Sequence, residues 1–194
     1  MMIACTRARW RRAATGALAC LLVMPAQGHA QSPAPPPEEG TAMPTELDPR
    51  AYAEITRLTD QGQALFDEGR LEEARGLFMQ AWALLPEPQS EWEATTWLAT
   101  AIGDIDFLKG NHAVARQTLE FAMLCPGGLG NPFIHLRLGQ TLLELGEKDR
   151  AADELMRAYM GAGEGIFAEQ DPKYRAFLAT RAILDRALQR RSLQ

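Results

Sequence analysis

Five small or apolar residues recur three times along this chain at unchanging spacing. The first set is Gly62, Gly69, Ala74, Phe78 and Ala81. The second is Gly103, Gly110, Ala115, Leu119 and Ala122, and the third Gly139, Gly146, Ala151, Leu155 and Ala158. The steps within each set are 7, 5, 4 and 3 residues. A fixed internal pattern means that one supersecondary unit is repeated and stacked, because a single unit cannot bury its own apolar face. Such a chain is constrained to be a scaffold before it is anything else.

The apolar spacing within each unit is helical. Leu58, Gln61, Gly62, Leu65 and Phe66 share one helix face, and Leu71, Ala74, Leu77, Phe78, Ala81 and Leu84 form the stripe of the next. Gly69 between them supplies a left-handed C-cap, and Pro86 closes the second helix. Each unit is therefore a helix–turn–helix. Asp48-Pro49, Asn131-Pro132 and Asp171-Pro172 each place an N-cap acceptor before a proline at the first helical position. Asn111 stands at the start of the fourth helix, and Ser90 with Glu93 forms a capping-box pattern that starts the third helix early.

These residues carry a resemblance to tetratricopeptide repeats, which share the small residues at three positions, the large apolar residue and the closing proline. The tryptophan common early in that repeat is replaced here by Leu58, Ala99 and His135. The resemblance implies an all-α, right-handed helical-hairpin solenoid of three repeats, at about 55–88, 96–129 and 132–165. A C-terminal capping helix at about 172–191 follows, within a domain of 49–194. The terminal unit of a solenoid needs a polar outer face, which Lys173, Arg175, Arg181, Arg186, Arg190 and Arg191 supply.

The first thirty residues read as a secretory signal. Arg7, Arg9, Arg11 and Arg12 precede an apolar run from Ala13 to Met24, and Gly28-His29-Ala30 fits the small-x-small cleavage pattern. Export with cleavage after Ala30 into a periplasmic or secreted location is the expectation; the run is shorter than the ~20 residues of a membrane span. Residues 31–48, rich in proline and glutamate, read as a disordered tether. Four of the 20 basic residues leave with the signal, so the remaining sixteen face 25 acidic residues, a net −9. Residues 172–194 alone carry +5, leaving an acidic body that argues against nucleic acid as a partner. Cys125 is the one cysteine beyond the signal, expected to be buried at a helix end.

Chemistry-bearing groups are sparse. His112 and His135 fall in different repeats, Asp104 and Asp106 point to different faces of one helix, and Asp153 and Glu154 read as solvated charge. No nucleophile–base or metal-ligand spacing occurs, so the expectation is a non-enzymatic module without a cofactor. The glycine-rich stretch 126–131 reads as a helix C-cap and tight turn. Its alternative is an anion or small-ligand loop, which the chain would use as a receptor or enzyme.

By the same resemblance, partner peptides lie in a concave groove lined by the first helix of each repeat. Carried over residue by residue, the groove comprises Thr56, Thr59, Gln63, Phe66 and Asp67 in the first copy. The second copy gives Trp97, Thr100, Asp104, Phe107 and Leu108, and the third Phe133, Leu136, Gln140, Leu143 and Glu144. The lysine, asparagine and arginine with which chaperone-binding members grip a terminal carboxylate are absent from this set. An apolar segment carrying basic residues would suit what remains. The alternative is that Phe66, Phe107 and Leu143 are core between neighbouring helices. The stretches 125–133, 157–160 and 171–174 also resemble a group of small bacterial tetratricopeptide proteins, some of them immunity partners of secreted toxins. That likeness implies an inhibitor of a toxin as a second protein-binding role.

Overall fold

A computed structural model describes residues 47–181. The expected signal, its cleavage site, residues 31–46 of the tether and the far end of the last helix lie outside the described residues. Six helices form three hairpins: α1 (Pro49–Asp67) with α2 (Leu71–Ala83), α3 (Glu93–Leu108) with α4 (His112–Leu124), and α5 (Pro132–Glu144) with α6 (Lys148–Ala162). A seventh, α7, is helical from 172 to 181. Short 3-10 turns occupy Gln89–Glu91 and Glu164–Phe167, and no strand occurs among the described residues. Each helix packs on the next along the chain, so the hairpins stack into a solenoid.

The recurrent glycines do two jobs. Gly69, Gly110 and Gly146 adopt φ of 78°, 80° and 81°, the left-handed region where a β-carbon is strained. Each closes the same double hydrogen bond at its helix end; in the first, Gly69 N donates to Phe66 O and Arg70 N to Leu65 O, both at 2.9 Å. The earlier glycine of each set lies where the paired helix crosses. A β-carbon on Gly62 would fall 2.5 Å from Phe78 Cε1, and on Gly103 2.8 Å from Leu119 Cγ. At Gly139 it would meet Leu155 Cγ at 2.8 Å and the Leu155 backbone nitrogen at 2.9 Å.

That last contact fixes the sign of a prediction. Alanine is favoured over glycine inside a helix by roughly 0.5–1 kcal/mol. Gly139→Ala nevertheless should destabilise, by about 1–3 kcal/mol, because a backbone nitrogen cannot rotate out of the way. A urea titration reporting a more stable variant would show that α5 and α6 do not cross at this point.

The core follows the repeats. Ala74, Phe78, Ala81, Leu98 and Ile105 lie in one cluster between the first two hairpins. Leu119, Ala122, Ile134 and Leu142 join the second and third, and Leu155, Ala158, Phe167 and Leu178 seat α7 on the third. The insertion between the first two copies departs from the expected cap. Ser90 lies in a 3-10 turn, Trp92 is the N-cap of α3, and no side chain caps it. Gln89 organises this segment instead: its amide donates to Leu85 O at 3.2 Å, and its Oε1 accepts from Trp82 Nε1 at 2.6 Å. Asn111 is the N-cap residue of α4, but its side chain accepts no hydrogen bond there.

Candidate concave groove

The first helices α1, α3 and α5 present their aligned residues along one face of the stack, and burial divides that face in two. On α1, Thr56 is exposed, while Thr59, Gln63, Phe66 and Asp67 are half-buried. The counterparts of Thr59 and Gln63 further along are not accessible, whereas Leu143 is half-buried and Glu144 exposed. Thr100, Leu136 and Gln140 are 0 % exposed and Asp104 2 %. These four expected groove residues are therefore corrected to interior positions, with Leu136 packed against Leu178 of α7 and Gln140 bonded to Gln170 just before it. Trp97, Phe107 and Phe133 are half-buried at the margin, and Leu108 is exposed.

A buried polar chain seals the second half. Arg137 Nε lies 2.6 Å from Asp104 Oδ1, with both side chains under one-tenth exposed. Arg137 Nη1 donates to Gln140 Oε1 at 2.7 Å, and Gln140 Nε2 donates to Gln170 Oε1 at 2.9 Å. The Arg137 guanidinium also stacks over Phe107, 4.4 Å from the ring centre, and lies 5.4 Å from that of Phe133. Burial pushes the Asp104 carboxyl above the usual range, and the Arg137 charge works against that rise.

The capping helix completes the seal. Tyr174 Oη donates to Glu144 Oε1 at 2.6 Å, Lys173 Nζ approaches the same oxygen at 2.8 Å, and Tyr174 lies 6.4 Å from Phe107. Burial, then the adjacent Glu144, pushes the Tyr174 phenol up to about 12. Burial would raise Glu144, but the hydrogen bonds from Lys173 and Tyr174 outweigh it and hold that carboxyl below its usual range.

The α1 half stays open. Thr56 and Thr59 turn their hydroxyls back onto Tyr52 O and Thr56 O, both at 2.8 Å. Gln63 Nε2 donates to Asp67 Oδ1 at 2.9 Å. Trp97 of α3 meets Phe78 of α2 edge to face at 5.3 Å. Tyr52, 62 % exposed and one turn before Thr56, extends the same stripe. Helical spacing alone continues the row to this residue. Arg137 and Gln170 carry no such mark, because a pairing across more than thirty residues leaves no local spacing signal.

The other candidates resolve structurally. Glu154 is not solvated charge: its Oε2 lies 2.5 Å from His135 Nδ1, while His135 Nε2 lies 2.8 Å from Leu129 O. Both ring nitrogens thus tie the inter-repeat loop to α6. In that loop a β-carbon on Gly128 would fall 1.9 Å from Ala122 O, so the backbone lies directly on the end of α4. Cys125 is buried at the α4 C-cap. Among the described residues, no three histidine, cysteine or carboxylate groups gather as a metal site, and no helix is long and apolar enough to cross a membrane.

Solved structures with this arrangement are of one kind. The type III secretion chaperone SycD of Yersinia enterocolitica superposes with a TM-score of 0.55 at 15% identity, over 73% of this chain and 90% of that one. SycD in complex with a peptide of the translocator YopD gives 0.53 at 16%, over 68% and 94%. The first tetratricopeptide domain of Spaghetti (RPAP3), bound to an HSP90 peptide, gives 0.54 at 17%, over 67% and 94%. No family model matches the chain, and no curated protein matches it. The fold is that of the tetratricopeptide-repeat class, an all-α solenoid of helical hairpins.

Proposed function

We propose that this protein is a non-enzymatic interaction module of a bacterial envelope compartment, which holds a segment of a protein partner against α1 and the start of α3. The observation that carries the reading is the contrast at aligned positions: Thr59 and Gln63 remain accessible where Thr100, Asp104, Leu136 and Gln140 are sealed. Binding is thereby confined to a short cleft lined by Tyr52, Thr56, Thr59, Gln63 and Trp97. Tyr52 and Trp97 give it an aromatic lining, and the acidic charge of residues 31–171 favours a segment with basic residues. The peptides bound by SycD and by the Spaghetti domain support a peptide-holding use of this fold. The basic, apolar, small-residue order of residues 1–30 supports export.

Photo-crosslinking in the native host tests both parts. A photoreactive residue at Thr59 should trap a discrete protein partner, whereas one at Thr118, on the opposite helix of the second hairpin, should not. Crosslinks formed equally at Thr118, or none at Thr59, would reject the cleft. The exported form should begin at Gln31, which N-terminal sequencing of the envelope fraction reads directly.

A further inference from the structure

We infer that the cleft recognises one arginine of its protein partner and holds the guanidinium between Phe66 and Trp97, as the next repeat boundary holds Arg137. The inference rests on the cleft proposed above and names the side chain that enters it.

The chain carries its own example of such a slot. Counted from the helix-crossing glycines, Phe66 and Phe107 stand four residues after Gly62 and Gly103, and Trp97 and Phe133 six before Gly103 and Gly139. Gln63 and Asp104 each follow their glycine directly. At the second boundary these positions surround a guanidinium. Arg137 lies 4.4 Å from the centre of the Phe107 ring and 5.4 Å from that of Phe133. Asp104 Oδ1 is 2.6 Å from its Nε, and Gln140 Oε1 accepts from its Nη1 at 2.7 Å. Arg137 stands two residues before Gly139; two before Gly103 stands Ala101. The side chain that seals the second boundary is thus cut back to a methyl group at the first, which gives a physical reason why the α1 side stays open.

The groups around that methyl suit a guanidinium. Ala101 belongs to the core cluster on which Phe66 and Trp97 both pack, and those two rings are half-buried. Gln63 Nε2 donates to Asp67 Oδ1 at 2.9 Å, which turns Gln63 Oε1 outward as an acceptor. Gln140 is held the same way, its Nε2 on Gln170 and its Oε1 on Arg137. Asp67 sets a carboxylate beside the Gln63 acceptor. Two rings and two acceptors select arginine over lysine. A planar guanidinium stacks on aromatic faces and forks to two oxygens, whereas an ammonium is a strongly hydrated point charge.

Nuclear magnetic resonance of the full chain tests the slot, with N-acetyl-arginine methylamide as the probe. The Trp97 indole N–H signal, assigned by its loss in Trp97→Phe, should shift saturably. Affinity should exceed that for N-acetyl-lysine methylamide by about fivefold, and Gln63→Leu should remove most of that preference. Ala101→Arg should abolish the shift by placing the chain's own guanidinium in the slot. In the native host the same variant, folded by circular dichroism, should lose most of the crosslink at Thr59. Equal shifts with both probes, or shifts indifferent to Gln63→Leu, overturn the inference whether or not Ala101→Arg folds. Thr59 crosslinks that persist in a folded Ala101→Arg variant leave the cleft standing and overturn the arginine. No crosslink at Thr59 in the parent, with the selective titration intact, supports the slot and rejects the proposed segment beside it. Arginine binding that emerges only after removal of residues 182–194 would assign the slot to the chain's own arginines. A concentration-dependent dimer dissolved by Ala101→Arg would assign it to a second copy; either result overturns a separate partner.

Discussion

Arg137→Met should cost about 3–5 kcal/mol of stability at neutral pH, because it strands Asp104 as a buried charge without its counterion. Asp104 is 2 % exposed, and its partner across the repeat boundary is Arg137. The loss should depend on pH in a defined direction. Burial raises the Asp104 carboxyl in the folded state. A raised carboxyl contributes stability that is full below the unfolded value of about 3.9 and disappears as pH climbs through the folded value. Arg137 limits that rise, so its removal widens the window over which stability is lost. The gap between variant and parent should therefore shrink as pH falls from 7 towards 4. Adding Asp104→Asn to Arg137→Met should recover much of the loss, which a double-mutant cycle in urea measures. A gap that stays constant with pH, with no recovery in the double variant, would mean that packing against Phe107 and Phe133 rather than charge is what Arg137 provides.

Phe78→Ala should be comparably severe, at about 3–5 kcal/mol, which for a domain of this size lowers Tm on the order of 10 °C. Phe78 is 1 % exposed, and its ring bridges two hairpins: one edge rests on the bare backbone of Gly62, the other meets Trp97. Neither neighbour can collapse into the vacated space, since Gly62 has no side chain to advance and Trp97 is fixed in α3. Thermal melts followed by tryptophan emission report stability and the wetting of Trp97 together. The pairing has its own control. Gly62→Ala should harm the parent, where its β-carbon would sit 2.5 Å from the ring, yet be harmless or helpful in Phe78→Ala. Equal penalties in both backgrounds would show that the two residues do not share the space.

The sequence was most informative where physics is local. A glycine at positive φ, an apolar residue four positions on and an Asn-Pro or Asp-Pro pair each constrain the nearest turn, so Gly69, Phe78 and Asn131 could be read directly. The interior of the groove could not. Asp104 and Gln140 have the composition of a solvent-facing row, and only the arrival of α5 and α7 buries them. Ser90 failed for a related reason: Gln89 reaches back to Trp82 and Leu85 and holds the segment in a 3-10 turn before a capping box can form. Tyr52, by contrast, is legible from helical spacing, one turn before Thr56.

Three hairpins built to one pattern face a problem of order. Their apolar surfaces are nearly interchangeable, so a chain collapsing quickly could dock the first hairpin where the second belongs. The polar chain across the interior works as a key against that error. Asp104 meets its counter-charge only when Arg137 follows it, and the Gln140 amide nitrogen meets its acceptor when Gln170 does. With the first hairpin docked after the second, Asp60 would stand in the place of Arg137 and set carboxylate against carboxylate, at a cost of several kcal/mol. The residues that close half the groove to partners thus also number the repeats.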